Sequence, residues 1–185
     1  ITGLHKSPYH GFSVEFTEHR PYMPGDEIRH IDWKAYGKTD RYYIKEFEEE
    51  TNLKTYLILD ASKSMDYASD GQLKKIEYAS YLAAALGYLM VEQRDAVGLT
   101  IYDERVRTSL PPKASKLYLQ QILRELETLR PGNKTGTAQS LHEVAERIRR
   151  RGLIVILSDL FDDPAQVMTA LKHFRHRGNE VIVMQ

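Results

Sequence analysis

From Thr51 onward, short apolar runs alternate with stretches of helical periodicity, and that alternation constrains the fold more than any other feature of the chain. Residues 55–60 (Thr-Tyr-Leu-Ile-Leu-Asp) form a short apolar run ending in a carboxylate, the pattern of a buried strand. Residues 76–93 are long enough for a helix and apolar on most sides, which predicts a central packed helix. Residues 96–102 read as the next strand, with 106–109 as its hairpin partner across Asp103-Glu104. Leu119, Ile122, Leu123 and Leu126 keep the i, i+3, i+4, i+7 spacing of an amphipathic helix. Leu141, Val144, Ala145 and Ile148 mark another, which closes on Arg149-Arg150-Arg151 ahead of Gly152. Residues 153–157 are the most apolar strand. Asp163-Pro164 then joins an N-cap to proline at the first helical position, and Val167, Ala170, Leu171 and Phe174 line the helix that follows. Residues 180–184 make a last strand. Strands separated by helices of crossover length pair in parallel. The expected class is α/β, a mostly parallel sheet with helices on both faces.

The first fifty residues differ. They are rich in His, Tyr, Arg and Asp and lack aliphatic periodicity. Alternation at 12–16 and 42–47 predicts short strands, and Pro24-Gly25 predicts a turn. The expected organisation is a small β-rich N-terminal arm over 1–50 and the α/β domain over 51–185. The chain stops inside the apolar run 181–185, the pattern of a domain trimmed at its C-terminus.

Bulk composition narrows the function. Lys plus Arg and Asp plus Glu both number 26, so no broad basic field invites nucleic acid. There is no cysteine, which rules out thiolate catalysis, disulfide bonds and cysteine-ligated zinc and fits a reducing compartment. The longest apolar stretch, 81–91, is too short to cross a bilayer, and no signal peptide is visible at Ile1. A cytoplasmic location is the expectation.

In open α/β sheets a site lies at the carboxyl ends of the strands, near the point where strand order reverses. Asp60-Ala-Ser62-Lys-Ser64, a D-x-S-x-S pattern, follows the first strand, and Ser158-Asp159 follows the most apolar one. The loop Gly132-Asn-Lys-Thr135-Gly-Thr137 lies between them in sequence. Hydroxyls and carboxylates are hard oxygen donors, suited to Mg²⁺ and also to Mn²⁺; zinc and copper favour His or Cys. With only two carboxylates in the set, an anionic ligand is not repelled, and an open coordination position would accept a carboxylate from a partner.

Other features read as structural. Asp162 and Asp163 suit N-capping of the Pro164 helix. His173-x-x-His176 lacks a completing ligand and is flanked by Arg175 and Arg177, so it reads as a solvated helix face. Arg147 and Arg149 to Arg151 complement a helix C-terminus. Lys134-Thr135 lacks the spacing of a phosphate-binding loop. Gly25, Asp26, Arg29, Asp32 and Trp33 read as a folded clamp in which the turn, an Asp–Arg pair and a packed Trp hold the arm; a docking surface is the competing reading.

D-x-S-x-S, Thr135 in a G-x-x-T-x-T loop and Asp159 at a strand end together resemble the metal-ion-dependent adhesion site of von Willebrand factor A domains. The resemblance implies a von Willebrand A-like, Rossmann-type sheet. It implies that Ser62, Ser64 and Thr135 contact the metal, with Asp60 and Asp159 acting directly or through water. Thr135 is preferred to Thr137 because Leu141 lies six residues beyond it. A narrower resemblance covers nearly the whole chain: Gly25, Asp26, Arg29, Ile31, Asp32 and Trp33 match the G-D-x-x-R-x-I-D-W core of the bacterial family catalogued as domain of unknown function 58. Members of that family are similar to von Willebrand A proteins and are often encoded beside MoxR-type AAA+ ATPases. The resemblance implies such an ATPase, or its client, as a protein partner offering Asp or Glu.

The expected function is a divalent-metal-dependent protein-binding module, not an enzyme, with no catalytic residues. A Mg²⁺-dependent phosphohydrolase of haloacid-dehalogenase type is the alternative: Asp60 would be the nucleophile and residues 158–163 its second acidic motif. The general acid expected two residues after the nucleophile is Ser62 here, so that position is unfilled. A scaffold without metal is the third reading.

Overall fold

The computed structural model describes residues 14–26, 28–49, 53–132 and 136–185. It divides into two compact units, Ile1–Asn52 and Leu53–Gln185. In the first, β1 (Val14–Pro21) pairs antiparallel with β2 (Tyr43–Glu49). Between them Gly25 takes φ 110°, a backbone that a side chain disfavours. The Arg20 guanidinium donates to both Asp26 carboxylate oxygens at 2.9 and 3.0 Å, and Met23 N donates to Asp26 at 2.8 Å. Those bonds, the Arg20 pair first, hold the Asp26 carboxyl below its usual range.

A short helix, α1 (Trp33–Thr39), was not expected from the alternating pattern. Asp32 caps it, accepting from Lys34 N and Ala35 N, and also meets His19 Nε2 at 2.9 Å. Asp40 ends it in the left-handed conformation. Tyr36 on this helix stacks on Tyr42 at 4.5 Å. Trp33 does not pack as a clamp would need: it is 57% exposed, touching Tyr36 edge-on.

The second unit carries a five-stranded sheet in the order β5-β4-β3-β6-β7. Its strands are β3 (Lys54–Asp60), β4 (Ala96–Tyr102), β5 (Val106–Lys113), β6 (Leu153–Leu157) and β7 (Glu180–Met184). All neighbours pair in parallel except β5, which runs antiparallel to β4. The helices are α2 (Lys75–Glu92), α3 (Lys116–Glu127), α4 (Thr137–Arg147) and α5 (Pro164–His176). Side chains alternate across the sheet. Leu57, Leu59, Leu99, Ile101, Val155 and Leu157 join α2 and α3 in one core. Ile58, Tyr102, Ile154 and Ile156 join α4 and α5 in the other. Both faces are covered, which is why the central strands are apolar at successive positions. Each fully buried Leu or Ile contributes about 1.5–3 kcal/mol of transfer free energy. No described helix is long and apolar enough to cross a membrane.

Two local expectations are corrected. Helix α2 is not packed all round: Ile76, Ala79, Ala83, Gly87 and Val91 form its buried stripe, while Tyr78, Tyr81 and Tyr88 are about 60% exposed. Small residues on the inner face let the helix lie close to the sheet; the tyrosines, amphipathic, turn outward. Helix α4 stops at Arg147, and Ile148 is already extended, so Arg149 to Arg151 lie beyond it. Arg147 does stand in its last turn, as expected, and Arg177 from beyond α5 donates to Ala145 O and, at 3.0 Å, to Glu146 O.

Edge strand β5 carries Pro111-Pro112, tolerable there because one side needs no ladder bonds. The β4–β5 register shifts between Val97 and Leu99, and Gly98 sits at that shift. A Cβ at Gly98 would meet Leu110 O at 2.6 Å and Pro112 N at 2.8 Å, both backbone atoms that cannot swing away. Gly98→Ala is expected to cost about 1–3 kcal/mol; urea unfolding would read this as a lower midpoint at unchanged slope.

Candidate functional site

Strand order reverses at β3. The chain leaves β3 for β4 on one side and returns to β6 on the other, and in open α/β sheets such a switch point is where a crevice forms, here at the carboxyl ends of β3 and β6. Asp60 is the last residue of β3, and Ser158 and Asp159 directly follow β6.

Asp60 is fully buried. Its Oδ1 accepts from Ser62 N at 2.8 Å; its Oδ2 accepts from Ser158 Oγ at 2.6 Å and from Thr137 Oγ1 at 3.4 Å. Burial pushes its pKa up; the bonds from Ser158 and Ser62 oppose that, and the nearby Asp159 charge adds to it. Ser62, also fully buried, precedes the 3-10 turn Lys63–Met65 in an extended conformation. Its hydroxyl makes no capping bond to that turn, and lies 3.0 Å from Ser64 Oγ instead. Ser64 Oγ donates to Asp159 Oδ1 at 3.0 Å. Asp159 Oδ2 meets Lys75 Nζ, at the start of α2, at 2.8 Å.

The loop after Asp159 is held under strain. Leu160 has φ 51°, which costs a branched L-residue on the order of 1–2 kcal/mol. Two bonds fix it: Leu160 N donates to Ser158 Oγ at 2.9 Å, and Asp162 N donates to Leu160 O at 2.8 Å. Ser158 Oγ therefore donates to Asp60 while accepting from Leu160, joining the two strand ends.

Of the residues singled out from sequence, Asp60, Ser62, Ser64 and Asp159 come together as one bonded chain. Thr135 lies outside the described residues. Thr137, ranked second to it, is buried at the first position of α4 with its hydroxyl toward Asp60. Sequence reasoning gave no role of their own to Ser158, Tyr102 or Lys75. Ser158 adjoins Asp159, and Tyr102 ends the neighbouring strand at the same sheet edge, so position alone could have flagged both. Tyr102 is fully buried, and its hydroxyl has no hydrogen bond of good geometry; burial and the Asp60 charge push its pKa well up. The two acidic residues expected to cap α5 divide the work: Asp163 accepts from Gln166 N in α5, and Asp162 accepts from Ala138 N in α4. His173 has His142 across the helix pair as its neighbour, with Nδ1 atoms 3.4 Å apart.

The donor chemistry fits a small hard cation. Among the described residues no group of three or more His, Cys, Asp and Glu converges; the crevice instead combines hydroxyls with two carboxylates. Neighbouring ligands on an octahedral Mg²⁺ lie about 3.0 Å apart, given metal–oxygen distances near 2.1 Å. The Ser62–Ser64 and Ser64–Asp159 oxygen separations are both 3.0 Å, which suits such an edge as well as the hydrogen bonds themselves.

Fold and crevice together define a mixed α/β chain with a hydroxyl–carboxylate centre at its strand-order reversal. The chain belongs to the family described as Protein of unknown function DUF58, whose model matches residues 18–185. It is similar to the uncharacterised proteins Mb1516 of Mycobacterium bovis and Rv1480 of Mycobacterium tuberculosis, 27% identical over 188 residues in each case. Those alignments cover 100% of this chain and 58% of each relative, so the chain spans little more than half of their length. Among solved structures it resembles an aerotolerance-related membrane protein from Bacteroides fragilis, at TM-score 0.60 and 23% identity over 71% of this chain and 66% of that one. It also resembles the conserved hypothetical protein BatB from Bacteroides thetaiotaomicron, at TM-score 0.56 and 20% identity over 71% and 65% of the two chains. At these identities the likeness is one of fold.

The raised pKa of Asp60 has a consequence for stability. A carboxyl that binds its proton more tightly folded than unfolded makes the fold lose stability as pH rises through and above the ordinary carboxylate range. Asp60→Asn removes that burden; the amide oxygen can still accept from Ser62 N, while the Ser158 and Thr137 hydroxyls, which donate to Asp60 Oδ2, must turn to accept from the amide nitrogen. With chelator at pH 7, this variant is expected to melt about 2–4 °C higher than wild type, the response of a domain this size to roughly 1 kcal/mol. A lower Tm, read by calorimetry, would show that the ionised carboxylate stabilises the fold.

Proposed function

We propose that this chain is a divalent-metal-dependent protein-binding module of von Willebrand factor A type. The observation that carries the reading is the bonded chain of Asp60, Ser62, Ser64 and Asp159 at the strand-order reversal. In this reading Ser62 and Ser64 hold Mg²⁺ or Mn²⁺ through their hydroxyls, with Thr135 as the third hydroxyl. Asp60, whose oxygens are both engaged, fixes the Ser62 backbone and the surrounding hydroxyls and supplies charge from behind. Asp159 holds Ser64 from the β6 side. The bound ion supplies a Lewis-acidic position open to an Asp or Glu of a partner protein. By family resemblance that partner is a MoxR-type AAA+ ATPase or a protein it remodels, met in the cytoplasm.

The geometry favours binding over hydrolysis. An Asp60 nucleophile needs an oxygen open to substrate, and this side chain is fully buried with both oxygens accepting hydrogen bonds. Titration calorimetry with Mg²⁺ and Mn²⁺, with and without acetate as carboxylate surrogate, tests the proposal. Wild type is expected to bind, and Ser62→Ala with Ser64→Ala to weaken binding by more than the roughly 10–100-fold that loss of a supporting outer partner costs. No heat for wild type even with acetate would leave a metal-free scaffold as the function.

A further inference from the structure

Lys75 breaks a rule of helix construction. It is the first residue of α2, the helix N-terminus that favours negative charge, and Lys74 precedes it. The acidic Glu77 in the first turn accepts from Lys74 N. The two lysines are directed to different carboxylates. Lys74 Nζ lies 2.7 Å from Asp66, which Lys63 also meets at 3.0 Å. Lys75 Nζ lies 2.8 Å from Asp159 Oδ2 and 5.6 Å from the centre of the Tyr67 ring. Asp66 thus draws two ammonium groups, and Lys75 is the cation given to the crevice itself.

We propose that Lys75 is an intramolecular competitor of the metal ion for Asp159. This rests on the crevice being a divalent-cation site. Without an ion, the crevice holds two carboxylates, Asp60 and Asp159, whose like charges oppose each other. The Lys75 ammonium offsets one of them. Its side chain is 44% exposed against 13% for Asp159, so the ammonium can leave for water while the carboxylate stays. Pairs this exposed are weak, so a divalent ion can displace it. A released ammonium at the rim adds positive charge beside the loaded ion, where an acidic partner segment would approach. One side chain therefore lowers metal affinity in the empty state and favours anionic ligands in the loaded one.

The test compares wild type, Lys75→Met, Lys75→Gln and Lys63→Met in Mg²⁺ titrations at fixed pH and low salt, without and with acetate. The Lys63 variant alters charge near the crevice without touching Asp159. Both Lys75 variants are expected to bind Mg²⁺ about 2–5-fold tighter than wild type, the most a pair this exposed can withhold, with Lys63→Met unchanged. Acetate is expected to strengthen Mg²⁺ binding less in the Lys75 variants than in wild type. In chelator, Lys75→Met is expected to melt about 1–3 °C lower, and saturating Mg²⁺ to erase the difference. Equal Mg²⁺ affinity for wild type and both Lys75 variants would overturn the competitor role while leaving the metal site standing. Equal tightening by Lys63→Met would overturn it in favour of a general field effect. Absence of binding in every protein, acetate included, would overturn the metal site and this inference with it.

Discussion

The organising constraint in the larger unit is a buried carboxyl group. Asp60 ends the central strand with no exposure to water, and its two oxygens recruit groups from three separate segments: Ser62 after β3, Thr137 opening α4 and Ser158 after β6. A buried carboxylate is tolerated only when hydrogen-bonded or paired with a cation. Its needs therefore fix where the segments end. The two apolar cores fasten the sheet from opposite faces, but they do not specify how its carboxyl edge is finished. Asp60 does, and the hydroxyls it arranges make the edge chemically distinctive.

Much of this was legible in the sequence, for a physical reason. A parallel sheet covered on both faces writes itself as apolar runs of strand length, and β3, β4 and β6 lie where those runs are. The carboxyl ends of such strands are where sites form, so Asp60, Ser62, Ser64 and Asp159 could be picked out together. Less legible was whatever depends on pairing between distant segments. Nothing local to Lys75 announces Asp159, and nothing local to Arg177 announces the carbonyls of α4. Helix α1 was missed because Gly37 and its short length hide its periodicity; its one local signal is the Asp32 cap. The extent of α2 packing was overestimated because small residues and tyrosines both count as apolar, while only the small ones fit against the sheet.

The smaller unit holds its turn by a different device. Arg20 and Asp26 meet in a two-bond fork, which fixes direction as well as distance. The residues that resemble the family core thus include groups with plain structural work, Asp26 in the fork and Asp32 at the start of α1. Trp33 is the exception, a large aromatic left mostly in water.

Leu160 gives the crevice a mechanical property. A leucine at φ 51° sits on a conformational slope, and the hydroxyl that restrains its amide is the same one that donates to Asp60. Ser158 is in effect a latch on a loaded spring. Swinging the whole Ser158 side chain about its Cα–Cβ bond would break both contacts at once, so one oxygen ties the buried carboxyl of β3 to the strained backbone beside Asp159.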